Sequence, residues 1–117
     1  MLIQNALASV AVKDLAASAK WYEVLFGRPP SRSMAELAEW RFEHGGWLQV
    51  YQLPERAGAG SCTLSVTNLD EQIAKLDAMQ MNTQQRTSSP TVRTVMITDP
   101  DGNHIAFAEA LDASVEH

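Results

Sequence analysis

Cys62 is the only cysteine in the 117-residue chain, so no internal disulfide framework can hold it together, and the sequence is compatible with a reducing compartment. No apolar run reaches the 18 residues needed to suggest a transmembrane helix, and no membrane association is expected. The opening Met1-Leu2-Ile3-Gln4-Asn5 has neither a basic segment nor a small-residue cleavage site, which argues against a signal peptide and for a cytoplasmic location. Basic residues are scarce, with nine Lys and Arg against fourteen Asp and Glu and a net charge of −5. The imbalance lies in the second half: residues 1–56 carry six of each sign, whereas residues 57–117 carry three basic and eight acidic residues. A nucleic-acid binder needs a basic stripe to meet the phosphates, so no nucleic-acid partner is expected. The acidic face reads as solubilising. At 45% apolar and 20% charged residues, the chain has enough hydrophobic material for a core of ordinary size.

What the sequence does contain is a repeat. Ala8-Ser9-Val10-Ala11-Val12-Lys13-Asp14-Leu15 and Cys62-Thr63-Leu64-Ser65-Val66-Thr67-Asn68-Leu69 are both alternating strands that end in an Asx residue followed by Leu. Asp14 and Asn68 are suited to cap helices, because a short side-chain oxygen accepts N–H groups of the first turn. Glu71, three residues after Asn68, resembles the second half of a capping box. Leu15, Ala19, Tyr22 and Phe26 then follow at helical spacing up to Gly27 and Pro29-Pro30, and Leu69, Ile73 and Leu76 do the same in the second copy. Hairpin patterns close each copy. Glu39–Glu43 and Trp47–Gln52 flank His44-Gly45-Gly46, and Val92–Thr98 and His104–Glu109 flank Asp99-Pro100-Asp101-Gly102-Asn103, a type I turn followed by a left-handed glycine. Met34, Leu37, Ala38 and Arg41 also fit helical spacing; a strand starting near Ala38 is the preferred reading. The expected class is therefore α+β, with two tandem βαβββ modules over about residues 5–53 and 61–110, joined by a Pro/Gly/Ala-rich linker at about 54–60 in a single domain. A ferredoxin-like α+β dimer is the runner-up, but it lacks the second matched hairpin.

Three stretches, in this order and spacing, carry a resemblance: Val12-Lys13-Asp14-Leu15 with Trp21-Tyr22 and Leu25-Phe26-Gly27; Leu64-Ser65-Val66 leading into Asn68; and Asp99-Pro100-Asp101-Gly102-Asn103 with the apolar strand ending in Glu109. Together they cover nearly the whole chain. The sequence resembles the glyoxalase/bleomycin-resistance/extradiol-dioxygenase (vicinal oxygen chelate) superfamily. The resemblance implies a mixed sheet curled into a cup that holds a ligand, with the helices outside, and chains that pair as homodimers.

Metal enzymes of that family place a ligand on the first and last strand of each module. The resemblance maps those four places onto Leu7, Gln49, Ser61 and Ala106. Leu and Ala have no donor atom, and neutral Gln and Ser are poor ligands for a divalent transition metal, so neither a metal nor another cofactor is expected. Of the histidines, His44 lies in the first hairpin turn and His117 is the last residue, whereas His104 shares a strand face with Ala106.

Alternation sorts the strands. Ala8, Val10 and Val12, Cys62, Leu64 and Val66, Leu48 and Val50, and Ile105 and Phe107 are expected to face the helices, which makes Cys62 a buried, inert thiol. The opposite faces supply the expected ligand contacts: Ser9, Trp47, Gln49, Tyr51, Thr63, Ser65 and His104, with Trp40 and Arg41 of undecided facing. Hydroxyls, rings and one amide suit a small, partly aromatic molecule. The leading reading is metal-independent binding or sequestration of such a molecule. The alternatives are a metal-independent lyase or isomerase using His104, Glu43 or Glu109 as acid or base, and a structural subunit whose cup is filled by its own side chains.

Overall fold

Asp14 starts the first helix as its type suggests. In the computed structural model, which describes residues 1–111, its carboxylate accepts the N–H groups of Ala16 and Ala17. Strand β1 (Leu7–Val12) leads into helix α1 (Leu15–Phe26), which stops at Gly27 in a left-handed conformation. Then come β2 (Arg32–Met34), β3 (Leu37–Arg41) and β4 (Trp47–Gln52). The stretch that also fitted a helix is thus two short antiparallel strands, paired Arg32 to Glu39 and Met34 to Leu37. The expected start near Ala38 falls one residue inside β3. Glu43 lies beyond the strand in the exposed turn with His44.

The second copy repeats the order: β5 (Ser61–Ser65), α2 (Leu69–Ala78), β6 (Gln85–Ser88), β7 (Val92–Thr98) and β8 (His104–Ala110). Asn68 accepts the Glu71 N–H at the start of α2. Each copy forms a four-stranded mixed sheet, β1-β4-β3-β2 and β5-β8-β7-β6, with its helix packed on one face. No helix among the described residues is long and apolar enough to cross a membrane. His117 lies outside the described residues.

The contacts divide the chain into two units. The first comprises Met1–Ser61 and the turn Asp99–Asn103. Its core contains Val10, Val12, Leu15, Tyr22, Leu25, Ala38, Leu48 and Val50. Trp40 completes that core: it is fully buried, its ring lies 5.6 Å from Phe26, and its Nε1 donates to the Arg28 carbonyl at 3.0 Å. The second unit comprises Cys62–Thr98 and the chain from His104, and it buries Cys62, Leu69, Ile73, Leu76, Val95, Ile97, Ile105 and Phe107. Ala8, Leu64 and Val66, expected in the core, are half-buried.

A side chain of each last strand finishes the capping of that copy's helix. Gln52 Oε1 accepts the Leu15 N–H at 3.0 Å, and Glu109 Oε1 accepts the Leu69 N–H at 2.7 Å. Helix starts leave several N–H groups without intrahelical partners, and these oxygens satisfy one each. The equivalence of Gln52 and Glu109 fixes the alignment of the two last strands, so Gln49 corresponds to Ala106 and Trp47 to His104.

The turn Asp99–Asn103 is a hydrogen-bonded plug in the first unit. Asp99 Oδ1 accepts the N–H groups of Asp101, Gly102 and Asn103. Its Oδ2 accepts the Tyr22 hydroxyl at 2.6 Å and Asn103 Nδ2 at 2.9 Å. The fully buried Asn103 side chain also donates to the Ala11 carbonyl and accepts the Gly60 N–H, both at 2.8 Å. Buried polar groups are tolerated when their bonding capacity is met, and this amide meets that condition.

Candidate functional site

Strand register lays the non-helical face of the first sheet out as three rows. Side chains directly opposite on neighbouring strands share a face and can touch. One row runs Leu7, Trp47, Arg41; the next Ser9, Gln49, Glu39, Arg32; the third Ala11, Tyr51, Leu37, Met34. In the first row the Arg41 guanidinium lies 5.7 Å from the centroid of the Trp47 ring, a cation–π distance. The third row is apolar apart from the tyrosine hydroxyl.

The middle row is bonded from end to end. Arg32 pairs with Glu39 Oε1 at 2.7 Å. Gln49 Nε2 donates to Glu39 Oε2 at 2.6 Å, and Ser9 Oγ bonds Gln49 Oε1 at 3.2 Å. Glu39 is only 2% exposed, whereas Ser9 is exposed and Gln49 half-buried. The Gln49 hydrogen bond, together with Arg32, holds the Glu39 carboxyl below the ordinary value of 4.5 against the opposing effect of burial. Glu39 and Arg32 were not singled out in the sequence. The signal that finds them is register: once Glu39 is paired with Gln49, it falls on the same face.

Of the residues expected to contact a ligand, Ser9, Trp47, Gln49 and Tyr51 are brought together on this one face. Trp47 and Tyr51 are half-buried rather than sealed in the core. Arg41 joins them, and Trp40 does not, because it points into the helical side of the sheet. Thr63, Ser65 and His104 lie on the second sheet, all exposed, on the face opposite the buried Cys62 and Ile105. His104 is paired with Thr98 across β7 and β8, and the same face carries a hydrogen bond between Thr87 and Thr94 at 2.5 Å. Glu109 is engaged at the start of α2, away from that polar face.

The family's ligand positions do not fit a divalent metal. Leu7 and Ala106 are hydrocarbon, Ser61 is a neutral hydroxyl, and the Gln49 amide is already bonded to Glu39 and Ser9. Among the described residues no three His, Cys, Asp or Glu side chains gather where they could hold an ion.

Two four-stranded mixed sheets, each built from a strand, a helix and three more strands with the helix packed on one face, define the architecture of the vicinal oxygen chelate proteins. No family model matches the sequence, and no curated protein matches it. Solved structures do. A glyoxalase/bleomycin resistance protein from Catenulispora acidiphila is 34% identical, over 90% of this chain and 96% of that one, with a TM-score of 0.80. An antibiotic binding protein from a Streptomyces species is 21% identical, over 95% and 99% of the two chains, at a TM-score of 0.78. A lactoylglutathione lyase from Agrobacterium tumefaciens is 17% identical, over 91% and 92%, at 0.75. The chain belongs to the glyoxalase/bleomycin resistance protein superfamily.

Proposed function

We propose that the protein binds and sequesters a small, partly aromatic molecule without a metal ion. The observation that carries this reading is the face of the first sheet. Two half-buried aromatic rings, Trp47 and Tyr51, flank a polar row that includes Gln49, one of the four positions the resemblance maps onto metal ligands. Rings bind planar apolar ligands, and a few fixed polar groups orient them. Ser9, Trp47, Gln49 and Tyr51 are the proposed contacts on the first sheet, and Thr63, Ser65 and His104 are proposed contacts on the exposed face of the second. Similarity to proteins named for bleomycin resistance and antibiotic binding supports the reading. A homodimer in the cytoplasm completes it.

Titrating a broad panel of planar aromatic compounds is expected to quench tryptophan emission in the wild type. The response is expected to be lost in Trp47→Phe, because Trp40 is buried and Trp21 lies on α1, which packs on the opposite face of the sheet. Silence across the panel in the wild type would refute binding. Elemental analysis of purified protein is expected to show no stoichiometric transition metal; a full equivalent of zinc, nickel, iron or manganese would refute metal independence.

Acid tests the polar row. Glu39 has a folded value below its unfolded one, so its contribution to stability is present above about pH 4.5 and is lost as the pH falls through the folded value. The stability advantage of the wild type over Glu39→Gln, measured by urea titration, is expected to shrink steadily as the pH is lowered below that point. An advantage that does not change with pH would mean that the carboxylate charge is not what holds the row.

A further inference from the structure

The middle row has a direction, and that direction selects a ligand. Glu39 is an ionised carboxylate, so its oxygens only accept hydrogen bonds. The Gln49 atom 2.6 Å from Glu39 is therefore the amide nitrogen, and the amide oxygen is the atom 3.2 Å from Ser9. An amide oxygen cannot donate, so the Ser9 hydroxyl hydrogen must point towards it. Arg32 and Gln49 both donate to Glu39, and Ser9 donates to Gln49. Two groups are left over: the lone pairs of Ser9 Oγ, which accept, and the second N–H of Gln49, which donates. Neither has another partner among the described residues. They sit side by side between the Trp47 and Tyr51 rows.

We propose that Ser9 and Gln49 read one edge of a planar ligand that offers a hydrogen-bond donor to Ser9 and an acceptor to Gln49, the pattern of a lactam or cyclic imide. This rests on the aromatic-ligand reading above and names the chemistry of that same site. An edge with acceptors alone, such as a quinone or an N-alkylated lactam, sets lone pairs against lone pairs at Ser9. The hydroxyl can turn to meet such an edge only by giving up its bond to Gln49. Glu39 acts as a positioning residue, since it fixes which way the Gln49 amide points without meeting the ligand.

The test uses 2-quinolone, which carries the donor and acceptor on one edge, and its N-methyl derivative, which keeps only the acceptor. Both are titrated calorimetrically against the intact protein. The wild type is expected to bind 2-quinolone about tenfold more tightly than the derivative, the effect of about one net hydrogen bond. In Ser9→Ala the two affinities are expected to fall within about twofold of each other. Ser9 is exposed, and an unchanged thermal melt confirms that this variant is folded. Glu39→Gln is expected to narrow the ratio as well, because a carboxamide can face Gln49 with either end. Equal binding of the two compounds by the wild type overturns the proposal and leaves aromatic binding standing. A preference that survives in Ser9→Ala also overturns it. Binding of neither compound counts against both readings.

Discussion

Replacing Asn103 by alanine is expected to cost about 3–5 kcal/mol of folding stability, although the residue lies in a turn. Its carboxamide is fully buried and bonds Ala11, Asp99 and Gly60. Truncation leaves the Ala11 carbonyl and the Gly60 N–H without their partner, and each buried group stranded in this way costs about 1–3 kcal/mol. Loss of the third bond, to Asp99, adds to this. Chemical denaturation with a fluorescence readout measures the change directly. A loss below about 1 kcal/mol would show that the turn can leave the first unit without penalty.

Gly58→Ala is the second large effect, expected at about 2–4 kcal/mol. Gly58 has φ +86°, where an L side chain is strained, and a Cβ there would lie 2.2 Å from the Asp101 carbonyl oxygen. That oxygen is backbone, so the turn itself must move. Gly45→Ala separates the two causes. Gly45 has φ +103° with nothing within 4 Å of an added Cβ, so only strain of about 1 kcal/mol is expected there. Similar losses at the two sites would show that the close approach at Gly58 carries no energy. Because Gly58→Ala and Asn103→Ala loosen the same turn, the double variant is expected to lose less than the two single losses together.

The elements visible in the sequence are those specified by neighbours along the chain. Asp14 and Asn68 announce helices because a cap acts within three residues, and strands β1, β4, β5 and β8 show themselves by alternation. The stretch from Met34 to Arg41 did not, since its apolar spacing fits two periods, and with it went the facing of Glu39 and Trp40. The two tryptophans beside that ambiguity have opposite roles: Trp40 fills the core and Trp47 faces away from it. No local pattern could separate them, because pairing with β4 decides it. The Asp99–Asn103 turn was legible as a turn but not as a plug, since Asn103 finds its Ala11 partner 92 residues away. On that face of the first sheet, the β1 and β4 residues were legible and the Arg32–Glu39 end was not.

The placement of that turn limits what can be done with the polypeptide. A half-length product ending at Ser61 keeps the first helix and its sheet but lacks residues 99–103, which the first unit borrows from beyond its own end. Such a fragment is expected to fold poorly alone and to be rescued by supplying the missing segment as a separate peptide. The repeat is plain in the sequence, yet the first copy is completed by five residues that lie within the second.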